Sequence, residues 1–508
     1  MTVLMVHYHL KPGGVSTVIK RQARALAHEG IACGLLVGEA PAGLAPASLP
    51  GFAVEPALAY DPPAAVRGAA GAALGGAAAG AEASARGDDP RVGLIKAAVE
   101  REARALGPDT VIHVHNPTLG KNSALLPALA ALAQDGYAIL MHVHDLAEDW
   151  RPALYRPAGY PAGCAWAAIN GRDAARLKAA GARLVDLLPN PVFSDSELEA
   201  YARGLGESPT KGRRAGTPEP TAILYPVRGI RRKNLGEALL AALYLPRGLS
   251  LSVTLPPNSD RDKPYYRAWA ASAARLGLPV AFDVGLRASL DDNYAKAAAV
   301  VTTSIKEGFG LSYLEPLARR KPVIGRRLAP VCDDFEAGGL RFDGLYDSLA
   351  VPDGLCDLKA MAARARADAD RCARAFGLGE AGAALSDGVE RLFAPGCDYG
   401  RLDEVAQNEI LSALARDPGA QAAFARANPW LDGLAALVEG GGATGGEREA
   451  AAPERLAAWS ERRYGRALRE AYEALFEAKG RGLSLPAPET GALCRLYLSP
   501  EQYYAVGL

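Results

Sequence analysis

The stretch of this 508-residue chain that carries most chemistry is Lys306-Glu-Gly-Phe-Gly-Leu-Ser-Tyr-Leu-Glu-Pro-Leu-Ala-Arg-Arg-Lys-Pro-Val-Ile-Gly325. Two carboxylates, Glu307 and Glu315, bracket a glycine-rich turn. A carboxylate accepts hydrogen bonds from paired hydroxyls, so each suits a sugar or a ribose. Gly308 and Gly310 flank Phe309 and let the backbone approach a ligand. Their amides, with that of Leu311 and those opening the next helix, can face phosphate or sugar oxygens. A capping box of Ser312 and Glu315 is the plain structural alternative. Pro316 counts against it, because it would remove the first intrahelical bond. A second run, Tyr225-Pro-Val-Arg-Gly-Ile-Arg-Arg-Lys-Asn234, gathers the cations Arg228, Arg231, Arg232 and Lys233. Fixed cations stabilise the charge that develops on a leaving diphosphate without help from a metal. Taken alone, the run is equally a solvated basic turn.

The first stretch resembles the Glu-x7-Glu motif of retaining glycosyltransferase family 4, whose members have the GT-B fold. The resemblance implies that Glu307 lies beside the transferred sugar. It implies that Gly308, Phe309, Gly310 and Leu311 hold sugar hydroxyls and phosphate, and that Glu315 binds the ribose. Arg228 and Lys233 resemble the family's Arg-x4-Lys pair, which grips the diphosphate, and Arg231 and Arg232 are extra. Lys11-Pro-Gly-Gly-Val-Ser16 resembles the family's Gly-Gly loop, which would bring Gly13 and Gly14 near the donor phosphates, although most such turns use glycine for geometry alone. The implied reaction moves a sugar from a nucleotide-diphosphate sugar, a UDP-sugar or GDP-mannose, to an acceptor hydroxyl with retention. Glu307, His144, Arg228 and Lys233 are its expected catalytic residues. The leaving phosphate takes the acceptor proton, and no cofactor or metal is expected. The resemblance covers about residues 1–400.

All seven histidines precede residue 145, and six form His-x-His pairs: His7/His9, His113/His115 and His142/His144. Each pair closes an expected strand, so the second members fall on one edge of a parallel sheet. Imidazole clusters bind zinc or iron. The reading preferred here puts the inner members in the core and the outer ones on sugar. His144-Asp145 resembles the family histidine that meets the donor sugar. Two loops follow these strands, His115-Asn-Pro-Thr-Leu-Gly-Lys-Asn122 and Asp145-Leu-Ala-Glu-Asp-Trp-Arg151. Lysine and asparagine at a helix start suit a phosphate or carboxylate. His115, Asn116, Lys121, Asn122, Asp145 and Arg151 are therefore the expected acceptor residues. An ordinary capped turn is the competing account.

The elements that must position these groups read as a parallel α/β pattern. Strands are expected at Val3–His7, Ala32–Val37, Thr110–Val114, Ile139–Val143 and Cys164–Ile169, with helices such as Thr17–His28 and Ser123–Gln134 between them. The Ala/Gly-rich stretch Ala64–Arg86 reads as a weak helix or mobile insertion. Gly206–Pro220 has linker composition. The pattern then restarts with strands at Thr221–Tyr225, Leu251–Leu255, Val280–Phe282 and Val300–Thr303. The helices there are Leu235–Leu245, Tyr265–Leu276, Leu290–Ala299 and one beginning near Leu314. Residues beyond 400 read as helices, interrupted by the flexible composition of Gly440–Pro453. The expected architecture is α/β of the GT-B class: two Rossmann-like domains facing a cleft, plus a C-terminal helical extension. The boundaries are 1–192 for the acceptor domain, 193–400 for the nucleotide-sugar domain and 401–508 for the extension, part of which packs back on the first domain.

The totals bound the function. At 508 residues the chain exceeds one ordinary core. Lys and Arg total 57 against 57 Asp and Glu, so net charge is zero. Nucleic-acid binders usually carry a basic excess, and none is expected as a partner. The seven cysteines form no Cys-x-x-Cys pair, which fits a reducing cytoplasm rather than a disulfide scaffold. The N-terminus does not read as a signal peptide, and no run approaches membrane-span length, so stable membrane insertion is not expected. The partners expected are a small-molecule donor and a small, soluble, anionic acceptor, such as a hydroxy acid or a phosphorylated sugar or polyol. Three other readings keep some of these features: a sugar-nucleotide epimerase or hydrolase on the same fold, a non-catalytic sugar-binding protein, and a His-cluster metalloenzyme.

Overall fold

A computed structural model of the chain describes residues 1–11, 13–41, 51–61, 89–205, 221–439 and 451–505. The expectations for Ala64–Arg86 and Gly206–Pro220, and most of that for Gly440–Pro453, fall outside the described residues. The chain divides into two compact units. Residues 1–195, 369–385 and 459–499 make the first, and residues 196–368, 386–458 and 500–508 the second.

The first unit is a seven-stranded sheet of β1 (Thr2–His9), β2 (Ala32–Glu39), β3 (Phe52–Val54), β4 (Thr110–His115), β5 (Ala138–Val143), β6 (Ala165–Ala168) and β7 (Val185–Leu187). Its order is β3-β2-β1-β4-β5-β6-β7. All pairings are parallel, with Val6 opposite Val114 and His115 opposite His142. The central strands are near-continuous apolar runs because helices cover both faces. Leu4, Val6, Ile112, Val114, Ile139 and Met141 face a core with Ile95 and Val99 of helix α1 (Pro90–Leu106) and Leu125 and Leu129 of α2 (Leu125–Gln134). Val3, Met5, Val111 and Leu140 face the opposite core. Since strand residues alternate between faces, His7, His113, His115 and His142 lie on this second side.

The second unit repeats the plan. Its strands are β8 (Ala222–Arg228), β9 (Ser250–Leu255), β10 (Val280–Ala281), β11 (Ala297–Thr302), β12 (Val323–Arg326) and β13 (Gly344–Tyr346), in the parallel order β10-β9-β8-β11-β12-β13. Both sheets therefore have the strand order of a dinucleotide-binding fold, and each reverses once, between β1 and β4 and between β8 and β11. Ligands in open α/β sheets bind beyond the carboxyl ends of the strands at such a reversal.

Several elements differ from expectation. Strands β3, β7, β12 and β13 and helix α1 were not anticipated. The expected C-terminal helical extension is present, and its residues divide between the two units. Residues 386–458 belong to the second unit and 459–499 to the first, and helix Leu358–Ala375 begins in one unit and ends in the other. Helix α3 (Glu461–Gly480) completes the first unit's second core. Tyr464, Leu468, Ala471, Tyr472, Leu475 and Ala478 recur at helical spacing and are all buried there. Ser460 caps it by accepting from the Arg463 amide. If this stripe is core, Leu475→Ala will lower stability by about 2–5 kcal/mol. Urea unfolding followed by circular dichroism measures it, and a loss under about 1 kcal/mol would remove α3 from the core.

Candidate active site

In the second unit, the two sequence stretches singled out above leave the sheet on either side of its reversal. Strand β8 ends at Arg228 and continues into a tight turn, Arg231–Lys233, before helix α4 (Leu235–Ala242). Strand β11 ends at Thr302 and runs into the Glu307 loop and helix α5 (Leu311–Ala318). The loops are stapled together through backbone carbonyls of the Arg231–Lys233 turn. The Ile305 amide donates to the Arg232 carbonyl at 3.0 Å. The Tyr225 and Thr303 hydroxyls donate to the Lys233 carbonyl at 2.6 and 3.1 Å.

These staples bring Lys233 Nζ onto Glu307 Oε1 and Arg232 Nη1 to 3.2 Å from Oε2. Glu307 is buried at 9% exposure. Burial alone pushes its carboxyl up, but Lys233 and Arg232 together outweigh burial and hold it below the ordinary range. Glu307 is thus a carboxylate with two cations against it. Arg232, set aside in the sequence as extra, takes this place. Arg228 instead donates to Asn258 Oδ1 at 2.8 Å and the Pro256 carbonyl at 3.3 Å. Arg231 is committed elsewhere, to Glu404 at 2.9 Å and over the Tyr265 ring.

Gly310 ends the glycine turn with φ +85° and caps α5. A Cβ there would sit 2.4 Å from Val331 Cγ1, so both backbone and space require glycine. Helix α5 starts at Leu311, three residues earlier than expected. Ser312 lies inside the helix and no capping box forms. Pro316 is accommodated within the helix. Phe309 is buried edge-to-face on Phe335, which fixes the turn from below. Glu315 stands half-buried on α5.

In the first unit, the histidine pairs stack on one face of β4 and β5. His113 Nε2 lies 3.0 Å from His142 Nδ1, and His115 Nδ1 lies 3.1 Å from His144 Nε2. Tyr472 and Gln22 reach His113 Nδ1 at 2.7 and 3.1 Å, and His7 Nδ1 donates to the His115 carbonyl. Burial pushes His7 and His113 down to about 3 and His115, His142 and His144 well below the usual imidazole range. They are neutral. Outer His115 and His144 are buried like the inner members, at 0% and 5% exposure, which departs from the expected division of inner core and outer sugar contacts. His113, His115 and His142 offer ligand atoms within 4.8 Å of one another, a set that fits a metal ion in size and donor type.

The acceptor candidates fall into two groups. Asn122, expected to face a ligand, spends its side chain on the Ala57 and Ala59 carbonyls and the Ala124 amide. Asn116, with φ +55°, accepts from the Asp145 amide. The Asp145 carboxylate takes Arg151 at 2.7 Å. These four brace the loops. Among the described residues Lys121 instead reaches Tyr60, at 3.0 Å from its hydroxyl and over its ring. Gly13 and Gly14 are exposed at the start of helix Gly14–His28.

The loop after β5 also holds Glu148, which the sequence did not single out. It is fully buried, and Tyr160 donates to both its oxygens at 2.9 and 3.0 Å. Burial, only partly offset by that hydroxyl, raises its carboxyl to about 7. Folding therefore favours the protonated form, and the cost of ionisation grows as pH rises from the ordinary carboxyl value through 7. Glu148→Gln will match the wild type near pH 5 and exceed its stability by about 2–3 kcal/mol at pH 8.5. Thermal unfolding at both pH values tests this, and a gap independent of pH would place the titration elsewhere.

Two parallel Rossmann-like units with helices beyond them make this the GT-B fold class. No family profile matches the chain. A curated relative, mannosylglucosyl-3-phosphoglycerate synthase from Petrotoga mobilis, is 29% identical over 267 residues, covering 47% of this chain. The match spans half of that relative's length, 50%. Among solved structures, the N-terminal domain of trehalose-6-phosphate phosphatase from Candida albicans aligns over 93% of this chain and 98% of its own, at TM-score 0.50 and 9% identity. HepE from Anabaena, solved with UDP and glucose, aligns over 87% of this chain and 100% of its own, at TM-score 0.46 and 14% identity. At such identities the structural likeness is one of fold. Among the described residues, no helix is long and apolar enough to cross a membrane.

Proposed function

We propose that the chain is a retaining glycosyltransferase of family 4. It moves a sugar from a nucleotide-diphosphate sugar, a UDP-sugar or GDP-mannose, to a hydroxyl of a small anionic acceptor. The observation that carries this reading is the buried Glu307 carboxylate held by Lys233 and Arg232 at the strand-order reversal of the second sheet. Cations at that point suit a diphosphate, and the amides of Gly308 to Leu311 suit its oxygens and the sugar. In the reaction the bond from the anomeric carbon to the donor phosphate oxygen breaks. The acceptor oxygen bonds to that carbon on the same face, and its proton passes to the leaving phosphate. Lys233, with Arg228 or Arg232, balances the charge gained by the diphosphate, and Glu315 takes the ribose. Gly13, Gly14 and His144 complete the donor side. The relative's name couples its product to 3-phosphoglycerate, and an anionic acid of that kind suits an acceptor site containing Lys121. A reducing, cytoplasmic setting suits seven cysteines that form no Cys-x-x-Cys pair.

The test begins with a screen of UDP-, GDP- and ADP-sugars for binding, then of acceptors with the donor that binds. Glu307→Ala and Lys233→Ala will each cut turnover by about two orders of magnitude or more while circular dichroism stays unchanged. Normal turnover in either folded variant would refute the assignment. Glu315→Ala will raise the donor KM more than it lowers kcat, since ribose contacts change little in the transition state.

The compact histidine set favours one other reading, a metalloenzyme using His113, His115 and His142. Exhaustive chelation separates the two. Transfer is expected to continue undiminished. Loss of turnover, restored by zinc or manganese, would select the metal reading.

A further inference from the structure

The first sheet reverses its order between β1 and β4, and three side chains, His9, Tyr60 and Lys121, meet at that edge. His9 closes β1, Lys121 stands in the loop after β4, and Tyr60 follows β3. His9 Nε2 and Lys121 Nζ each lie 3.0 Å from the Tyr60 hydroxyl oxygen. The Lys11 amide donates to His9 Nδ1 at 3.2 Å, so that nitrogen is the unprotonated one. His9 is neutral, since burial and then the charge of Lys121 lower its pKa. Its proton is therefore on Nε2, and Nε2–H donates to Tyr60. Lys121 donates to the same oxygen. With its oxygen taken by two donors, the Tyr60 hydroxyl keeps its own proton for a third party. What remains unmet is an acceptor beside a lysine, and the described residues provide no carboxylate partner for Lys121.

The arrangement is braced. The Asp61 amide donates to the Lys121 carbonyl at 2.7 Å, which ties the segment holding Tyr60 to the loop holding Lys121. Asp61 itself is held by Arg91 at 2.6 Å. Gly120 packs so closely that a Cβ would sit 2.7 Å from the Leu154 carbonyl oxygen. Lys11, the neighbouring cation, is paired with Glu39 at 2.8 Å, and the Arg156 guanidinium is spent on the Gly120 and Tyr155 carbonyls.

We infer that Tyr60, positioned by His9 and joined by Lys121, forms an anion subsite that binds the phosphate or carboxylate of the acceptor. This rests on the acceptor class proposed above and adds the residues that would select it. An anion would accept from the Tyr60 O–H and from Lys121 together, a charge-assisted pair that a neutral polyol cannot match.

Titration calorimetry on the full chain tests it with 3-phosphoglycerate, glycerol 3-phosphate, glycerate and glycerol as probes, and with UDP in parallel. At least one phosphate or carboxylate probe will bind and glycerol will not. The two single-anion probes show which anion the subsite takes. Tyr60→Phe, which removes one exposed hydroxyl, will weaken that binding about tenfold. Lys121→Ala will weaken it further and Lys121→Arg will restore part of it, with UDP affinity unchanged throughout. Failure of the wild type to bind any anionic probe, or wild-type affinity in both Tyr60→Phe and Lys121→Ala, would overturn the subsite. Anion binding that follows these variants in a protein that turns over no sugar nucleotide would keep the subsite and refute the transferase reading instead.

Discussion

A carboxylate withdrawn from water must find cations or take up a proton, and Glu307 finds cations. That constraint organises the second unit. Two loops from opposite sides of the strand reversal have to meet, because Glu307 comes from one and Lys233 and Arg232 from the other. The Ile305 amide and the buried hydroxyls of Thr303 and Tyr225 bond to backbone carbonyls of the Lys233 turn, so the pair is held from the sheet rather than by surface side chains. Further in, Asn234 sits left-handed at φ +48°, a conformation asparagine tolerates, and donates to Glu237 at 2.8 Å. Glu237 is clamped by the fully buried Arg326 at the end of β12, which also holds Asp398. The turn that presents Lys233 is thus anchored at both ends by buried charge. An ion pair of this kind contributes little net stability, but removal of one partner strands the other, so it fixes geometry.

The first unit meets the same constraint differently. Its carboxyl edge carries imidazoles, and burial makes them neutral instead of pairing them with acids. Neutral imidazole is both donor and acceptor, so rings on adjacent strands bond one another across β4 and β5, while His115 Nε2 and His142 Nε2 are buried without a hydrogen-bond partner among the described residues. Charge appears outside this layer, in Lys121 and the Asp145–Arg151 pair among others. The inner layer is a polar floor without net charge.

How much of this could be read from the chain depends on the range of the interaction. The central strands, the glycine turn and Lys233 were legible because each is a local pattern: apolar runs of strand length, glycines at fixed offsets, cations in one short segment. Strands β3, β7 and β13 were not, because three residues at a sheet edge make too short a run to stand out from loop. Arg232 was visible in the basic run, but only the register of the turn decides which of four cations points at Glu307. Tyr60 had no local signal at all. It meets Lys121 across 61 positions of sequence, and nothing in its neighbours marks it. Asn122 and Arg151 show the reverse error: their types suit a ligand, yet the fold spends them on carbonyls and on Asp145. Sequence shows what a side chain can do and leaves open whether the protein has already used it.

In the proposed reaction that last distinction sets the electrostatics of the donor site. Arg232 and Lys233 face a single carboxylate, Glu307, so the pair of loops keeps an excess of positive charge there before any donor arrives. Among the described residues Arg228 is bound to neutral groups, an amide oxygen and a carbonyl, and under this proposal would give these up at small cost to a phosphate. Lys233 is different, since a diphosphate must share it with Glu307. As the sugar–phosphate bond breaks, charge grows on the phosphate oxygen, and the lysine is drawn toward it. Glu307 is then left beside a sugar carbon that is itself becoming positive. The resting ion pair and the breaking bond would therefore be two ends of one exchange, in which Lys233 moves its interaction from carboxylate to phosphate while the carboxylate turns to the sugar. Such an exchange strengthens both contacts in the transition state relative to the bound donor, which is the condition for binding energy to appear as rate.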